Sequence, residues 1–186
     1  MIYIEDNFLD TELLNTILKD LNNFEEFKTV NKSFWIKRSS PEFINYISTR
    51  LEIFENKDIE PILGFFREAK LNQDNTWRIH NDSIINNEQP DRAIVLYLSD
   101  NKLSKLNGTA FWEHKDYGDT YKHNKVEEFN RMLTEDSEDI NKWILRSVIG
   151  HKQNRLISYP CNYFHSKYPN EFVDSRKVFV MFYKTK

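Results

Sequence analysis

The chain has 186 residues, 39% of them hydrophobic and 15% aromatic, which excludes a disordered chain and fits one domain with a buried core. Its formal charge is −3, with acidic and basic residues interspersed, so there is no electrostatic footprint for non-specific nucleic-acid binding. One cysteine, Cys161, allows no internal disulfide, no apolar run reaches membrane-spanning length, and Glu5 and Asp6 follow the opening apolar residues with no basic stretch before them. The expectation is a cytoplasmic protein without a membrane partner. Composition says nothing about oligomeric state.

In chain order, Tyr3 and Ile4 read as a short strand. Asp10 is placed to cap a helix over 11–22, with Leu13, Leu14, Ile17, Leu18 and Leu21 on one face. Residues 33–37 read as a strand. Ser40 caps a second helix, with Pro41 at its first position and Phe43, Ile44, Ile47, Leu51 and Phe54 as its apolar stripe. Pro61 and Gly64 read as breakers before a strand over 65–71, and 76–82 reads as the next strand after a polar turn. Residues 92–98 form the clearest buried strand, and 108–112 another. The spacing of Val126, Phe129, Met132, Leu133, Ile140, Trp143, Ile144 and Val148 predicts a helical insertion over about 113–150. Strands over 154–159 and 176–183 close the chain. Two helices followed by many short strands predict an α+β domain with a mainly β core, a jelly-roll with the helices on one outer face.

The chemistry concentrates at His80-Asn81-Asp82. In an extended segment His80 and Asp82 point to one side and Asn81 to the other. One more imidazole would complete a 2-His-1-carboxylate facial triad, which leaves positions open on Fe(II). His165 is the candidate. Arg176, on an otherwise apolar strand face with Val178 and Val180, would be costly to bury without an anion, and its fork suits a carboxylate. Short pairs of this kind recur by chance; a second, His114-Lys115-Asp116, lies just ahead of the helical pattern and reads as part of a polar loop, with His123. His151 reads as solvated, Cys161 as inert, and Tyr159 and Phe182 as core.

Taken in order, these pieces resemble the 2-oxoglutarate and Fe(II)-dependent oxygenases, in particular their prolyl-4-hydroxylase-like branch. The matching pieces are the opening 2–9 and its helix, His80-x-Asp82, 92–100 with Tyr97, 108–111 and 155–160, followed by His165 and Arg176. The resemblance implies a double-stranded β-helix in which His80, Asp82 and His165 hold Fe(II). It further implies that Arg176 and Tyr97 hold the far carboxylate of 2-oxoglutarate, and that O₂ is consumed in hydroxylating a small-molecule or peptide substrate. The family often has a tyrosine nine or ten residues before the metal pair; here Lys70 and Leu71 stand there. The long 113–150 segment is expected to help form the substrate site. Two other readings use the same residues: a cupin-like protein that binds a metal or small acid without turnover, and a zinc hydrolase, for which no H-E-x-x-H helix is present.

Overall fold

A computed structural model of the chain describes residues 1–28, 33–69, 76–100, 107–169 and 175–186. Its elements are β1 (Tyr3–Asp6), α1 (Thr11–Asp20), β2 (Glu25–Lys28), β3 (Ser33–Arg38), α2 (Pro41–Glu55), β4 (Ile59–Ala69) and β5 (Arg92–Tyr97). They continue with β6 (Gly108–His114), α3 (Val126–Asp136), β7 (Trp143–Gly150), β8 (Arg155–Pro160), β9 (His165–Tyr168) and β10 (Arg176–Thr185). Two antiparallel sheets result: a seven-stranded one in the order β1-β8-β5-β10-β4-β3-β2, and a three-stranded one in the order β7-β6-β9. Among the described residues, no helix is long and apolar enough to cross a membrane.

Both N-terminal helices start where the capping residues demand. Asp10 accepts from the Leu13 amide at 2.8 Å, and Ser40 from the Phe43 amide at 3.2 Å, each cap stabilising by about 1 kcal/mol. The stripes Leu13, Leu14, Ile17 and Phe43, Ile47, Leu51 then pack on one face of the large sheet, against Phe66, Leu96, Phe179 and Met181. The other face carries the alternate residues. Val95, Tyr97, Ile157, Tyr159, Val178 and Phe182 meet Phe111 and Ile149 of the small sheet, and this layer holds the site.

Three sequence expectations change. Pro61 and Gly64 lie inside β4, not before it. Pro61 fits because the ladder to β10 slips between Phe182 and Tyr183, and β3 pairs only with 65–68, leaving the proline nothing to donate to. Gly64 lets α2 approach, since a Cβ there would sit 3.3 Å from Ile44 and 3.1 Å from Phe179. Leu71 lies outside the described residues. The 76–82 strand is reduced to a single bridge, His80 to His165, because Arg78 turns the chain with φ of 45°. The 113–150 segment is only partly helical: α3 ends at Asp136 and β7 pairs along β6 from Gly108 to His114. Once α3 has turned the chain back, pairing the exposed edge of β6 outweighs the local helical spacing.

Gly108 begins β6 where only glycine fits, because a Cβ would run into the Ile149 carbonyl of β7. Gly108→Ala is expected to cost about 1–3 kcal/mol of stability, measurable by denaturant titration.

Candidate metal centre

Two backbone segments set the geometry. His80 and His165 exchange both hydrogen bonds of one antiparallel bridge, at 3.0 and 2.9 Å, so their imidazoles lie side by side with ring centroids 4.4 Å apart. The Asp82 amide donates to the Cys161 carbonyl at 2.9 Å, which keeps 80–82 extended and brings Asp82 round to the same side as His80. His80 Nε2 lies 3.8 Å from Asp82 Oδ1, and His165 Nε2 lies 3.2 Å from Asp82 Oδ2.

Each imidazole is oriented the same way. His80 Nδ1 donates to the Arg78 carbonyl at 2.8 Å, and His165 Nδ1 to the Tyr163 carbonyl at 3.0 Å. Both Nε2 atoms therefore carry the lone pair and face the carboxylate. Burial, then the neighbouring His165, push the His80 pKa down to about 3, with Asp82 opposing. Burial raises the Asp82 carboxyl, but His165 and His80 outweigh it and hold it below its ordinary value. At neutral pH this gives a neutral imidazole beside a carboxylate. One donor atom from each of the three residues lies within 4.8 Å of the others, the one group of this kind among the described residues. Donors about 2.1 Å from a shared octahedral ion sit about 3 Å apart on one face, so the set fits a divalent metal.

The His80 segment is braced from outside. The Arg78 amide donates to Glu138 Oε2 at 3.0 Å and the Ile79 amide to the Ser137 carbonyl at 3.0 Å. These contacts offset the cost of about 1–2 kcal/mol for a left-handed arginine. The end of α3 thus props the turn that carries His80. The helix itself packs on the far face of the small sheet, with Phe129 and Met132 against Trp112, Trp143 and Phe164. No residue of 113–150 is among the described residues lining the central cavity, so the segment supports the site from behind.

That cavity measures about 730 Å³ and joins His80, Asp82 and His165 to Arg176. Arg176 is 7% exposed; its Nη2 donates to the Gly108 carbonyl at 3.4 Å, and its guanidinium lies 5.3 Å from the Tyr97 ring centroid. Burial pulls its pKa down and Tyr97 opposes. Tyr97 is fully buried, and its hydroxyl pairs with Thr109 Oγ1 at 2.8 Å. A smaller cavity of about 390 Å³, between α1 and α2, brings together none of these groups.

The other histidines depart from expectation. His114 is no loop residue: it ends β6, 1% exposed, wedged between Trp143 and Tyr117, with Nε2 3.1 Å from Asp136 Oδ2. Its Nδ1 accepts from the Asp116 amide, so His114-x-Asp116 is a structural pair that ties α3 to the sheet. His114→Ala is expected to lose about 2–4 kcal/mol of stability while the folded fraction binds added Fe(II) as the wild type does, read by unfolding and metal analysis together. His151 is buried as well, donating Nε2 to the Ser99 carbonyl at 3.1 Å, its pKa lowered by burial. His123 is exposed, and burial raises the buried Cys161 thiol. Tyr159 does more than pack: its hydroxyl reaches His165 Nε2 at 3.2 Å. Alternation with Ile157 signals its face, but no spacing signals that contact. Thr109 and Arg67, also on the cavity wall, were not singled out by sequence.

No family model matches the chain and no curated protein matches it. Solved structures do. HygX from Streptomyces hygroscopicus, with nickel and 2-oxoglutarate bound, superposes with a TM-score of 0.64 at 10% identity over 98% of this chain and 82% of its own. A prolyl-4-hydroxylase from Pseudomonas putida gives 0.57 at 11% identity, over 100% of this chain and 92% of its own. The Trichoplax adhaerens prolyl hydroxylase, in complex with a hypoxia inducible factor peptide fragment, gives 0.58 at 15% identity over 98% and 83%. The chain therefore has the fold of the 2-oxoglutarate and Fe(II) oxygenases, prolyl hydroxylases included.

Proposed function

We propose that the protein is a 2-oxoglutarate- and Fe(II)-dependent dioxygenase, built as a double-stranded β-helix, that couples oxidative decarboxylation of 2-oxoglutarate to hydroxylation of a small-molecule or peptide substrate. The observation that carries this reading is one cavity joining the His80, Asp82 and His165 donor set to the buried Arg176. The fold shared with HygX, whose structure holds nickel and 2-oxoglutarate, supports it.

In this reading His80, Asp82 and His165 hold Fe(II), which supplies the redox chemistry with O₂ when bound. The backbone carbonyls of Arg78 and Tyr163 keep both ring nitrogens aimed at the metal position without a tautomer change. Arg176 neutralises and orients the distal carboxylate of the co-substrate, and the Tyr97–Thr109 hydroxyl pair beside it offers a hydrogen bond to the same group. The apolar wall of Val95, Val178, Val180 and Phe182 excludes water around them, which strengthens that ion pair.

Anaerobic titration of the Fe(II)-loaded protein with 2-oxoglutarate, followed by visible absorbance, tests the co-substrate site. A band should rise and saturate, and its absence would remove the assignment. Admitting O₂ should then release succinate; saturation without succinate would make the protein a binder with no turnover.

A further inference from the structure

The Tyr159 hydroxyl and a metal at the candidate centre compete for one lone pair. Tyr159 comes from β8, opposite Ala93 of β5, and its ring stands edge-on to Phe111 of the small sheet, centroids 5.1 Å apart. Phe111 faces His165 across β6 and β9. The phenol thus reaches from the large sheet to the small one and ends 3.2 Å from His165 Nε2. His165 Nδ1 gives its proton to the Tyr163 carbonyl, so Nε2 is the acceptor and the Tyr159 hydroxyl the donor. A metal held by His80, Asp82 and His165 takes that same lone pair, and an imidazole nitrogen has only one.

Where the hydroxyl turns once a metal has that lone pair follows from its surroundings. Tyr159 is 2% exposed, in the apolar layer with Val95, Ile157 and Phe182. A buried donor left without an acceptor costs about 1–3 kcal/mol. Rotation about the phenolic C–O bond redirects the proton while ring and oxygen stay in place, so the new acceptor must lie beside the metal position. The two oxygens of Asp82 face the imidazoles, at 3.8 Å from His80 Nε2 and 3.2 Å from His165 Nε2. The remaining direction is the cavity, which Tyr159 lines together with the three donors and Arg176. Ser166, the hydroxyl next to His165 on that wall, already donates to the Lys167 carbonyl at 2.8 Å and accepts from Trp112 Nε1 at 2.9 Å. It stays engaged, and Tyr159 is the hydroxyl that metal binding releases.

We propose that the Tyr159 hydroxyl, released from His165 by the metal, donates to the carboxylate beside the keto group of 2-oxoglutarate. Tyr159 then holds the near end of the co-substrate and Arg176 the far end. The inference rests on the assignment of the metal centre and Arg176 to 2-oxoglutarate. It gives the phenol opposite effects on the two ligands. Its bond to His165 opposes metal binding, and its bond to the 2-oxo acid favours co-substrate binding.

The test compares the full chain with Tyr159→Phe, which keeps the ring and removes only the hydroxyl. Under anaerobic conditions, Fe(II) affinity is measured without co-substrate by competition with a chromophoric chelator. The 2-oxoglutarate dissociation constant is then read from the visible band of the Fe(II)-loaded protein. In the variant, Fe(II) affinity should stay the same or rise, while 2-oxoglutarate binding should weaken about tenfold or more, as for loss of a hydrogen bond to a charged acceptor. Unchanged 2-oxoglutarate binding overturns the proposal. So does a fall in Fe(II) affinity without co-substrate, since the hydroxyl would then serve the metal ligands, and a merely structural role would lower both affinities together. If the phenylalanine variant does not fold, Tyr159→Leu is measured in the same way with the same two outcomes. Failure of the wild type to bind 2-oxoglutarate strikes the oxygenase reading itself, whereas wild-type binding that the variant retains in full strikes only the role of Tyr159.

Discussion

Alanine in place of His80, Asp82 or His165 is expected to abolish Fe(II) binding while far-ultraviolet circular dichroism stays close to wild type. Changes to groups that merely orient metal ligands cost about 10–100-fold in affinity, so loss of one of three ligands should exceed that. The fold should tolerate it, because the bridge between residues 80 and 165 is made by backbone atoms and survives truncation of both rings. Metal content after gel filtration in micromolar Fe(II) measures the effect. Retention of iron by His80→Ala together with its loss in His114→Ala would move the centre to the other histidine pair.

The next largest effect is expected at Arg176. Removing one partner of a desolvated charge pair costs about 2–5 kcal/mol, or roughly 30-fold to several thousand-fold in dissociation constant. Arg176→Ala should weaken 2-oxoglutarate binding by that amount and leave Fe(II) affinity essentially unchanged, because its guanidinium is hydrogen-bonded to the Gly108 carbonyl and stacked near Tyr97, not joined to the ligand set. An unchanged 2-oxoglutarate dissociation constant would remove Arg176 from the site. Tyr97→Phe should cost less, about 0.5–1.5 kcal/mol for one hydrogen bond. The Thr109 hydroxyl, 2.8 Å from that of Tyr97, would remain to donate to the same carboxylate.

The departure from the family's usual pattern at Lys70 and Leu71 lies outside the described residues, but Tyr159 places a phenol beside His165 from a different strand. It comes from β8, in the layer where both sheets meet, so local sequence around the H-x-D pair carries no trace of it.

Residues that act through their own neighbours in the chain were legible from sequence. The caps at Asp10 and Ser40, the helix stripes, the strand 92–98 and the alternation that sends His80 and Asp82 to one side all depend on backbone periodicity and short-range hydrogen bonds, so the order of residues determined them. What depended on a partner distant in sequence was settled by the tertiary structure. Trp143 to Gly150 carries a helical spacing but becomes β7, because β6 presents it with a full ladder of hydrogen bonds. His114 and His151 look like solvent-facing polar residues, yet each is buried once a remote partner, Asp136 or the Ser99 carbonyl, satisfies its ring. A buried polar group is tolerated only when it is paired, and such pairing across tens of residues has no local signature.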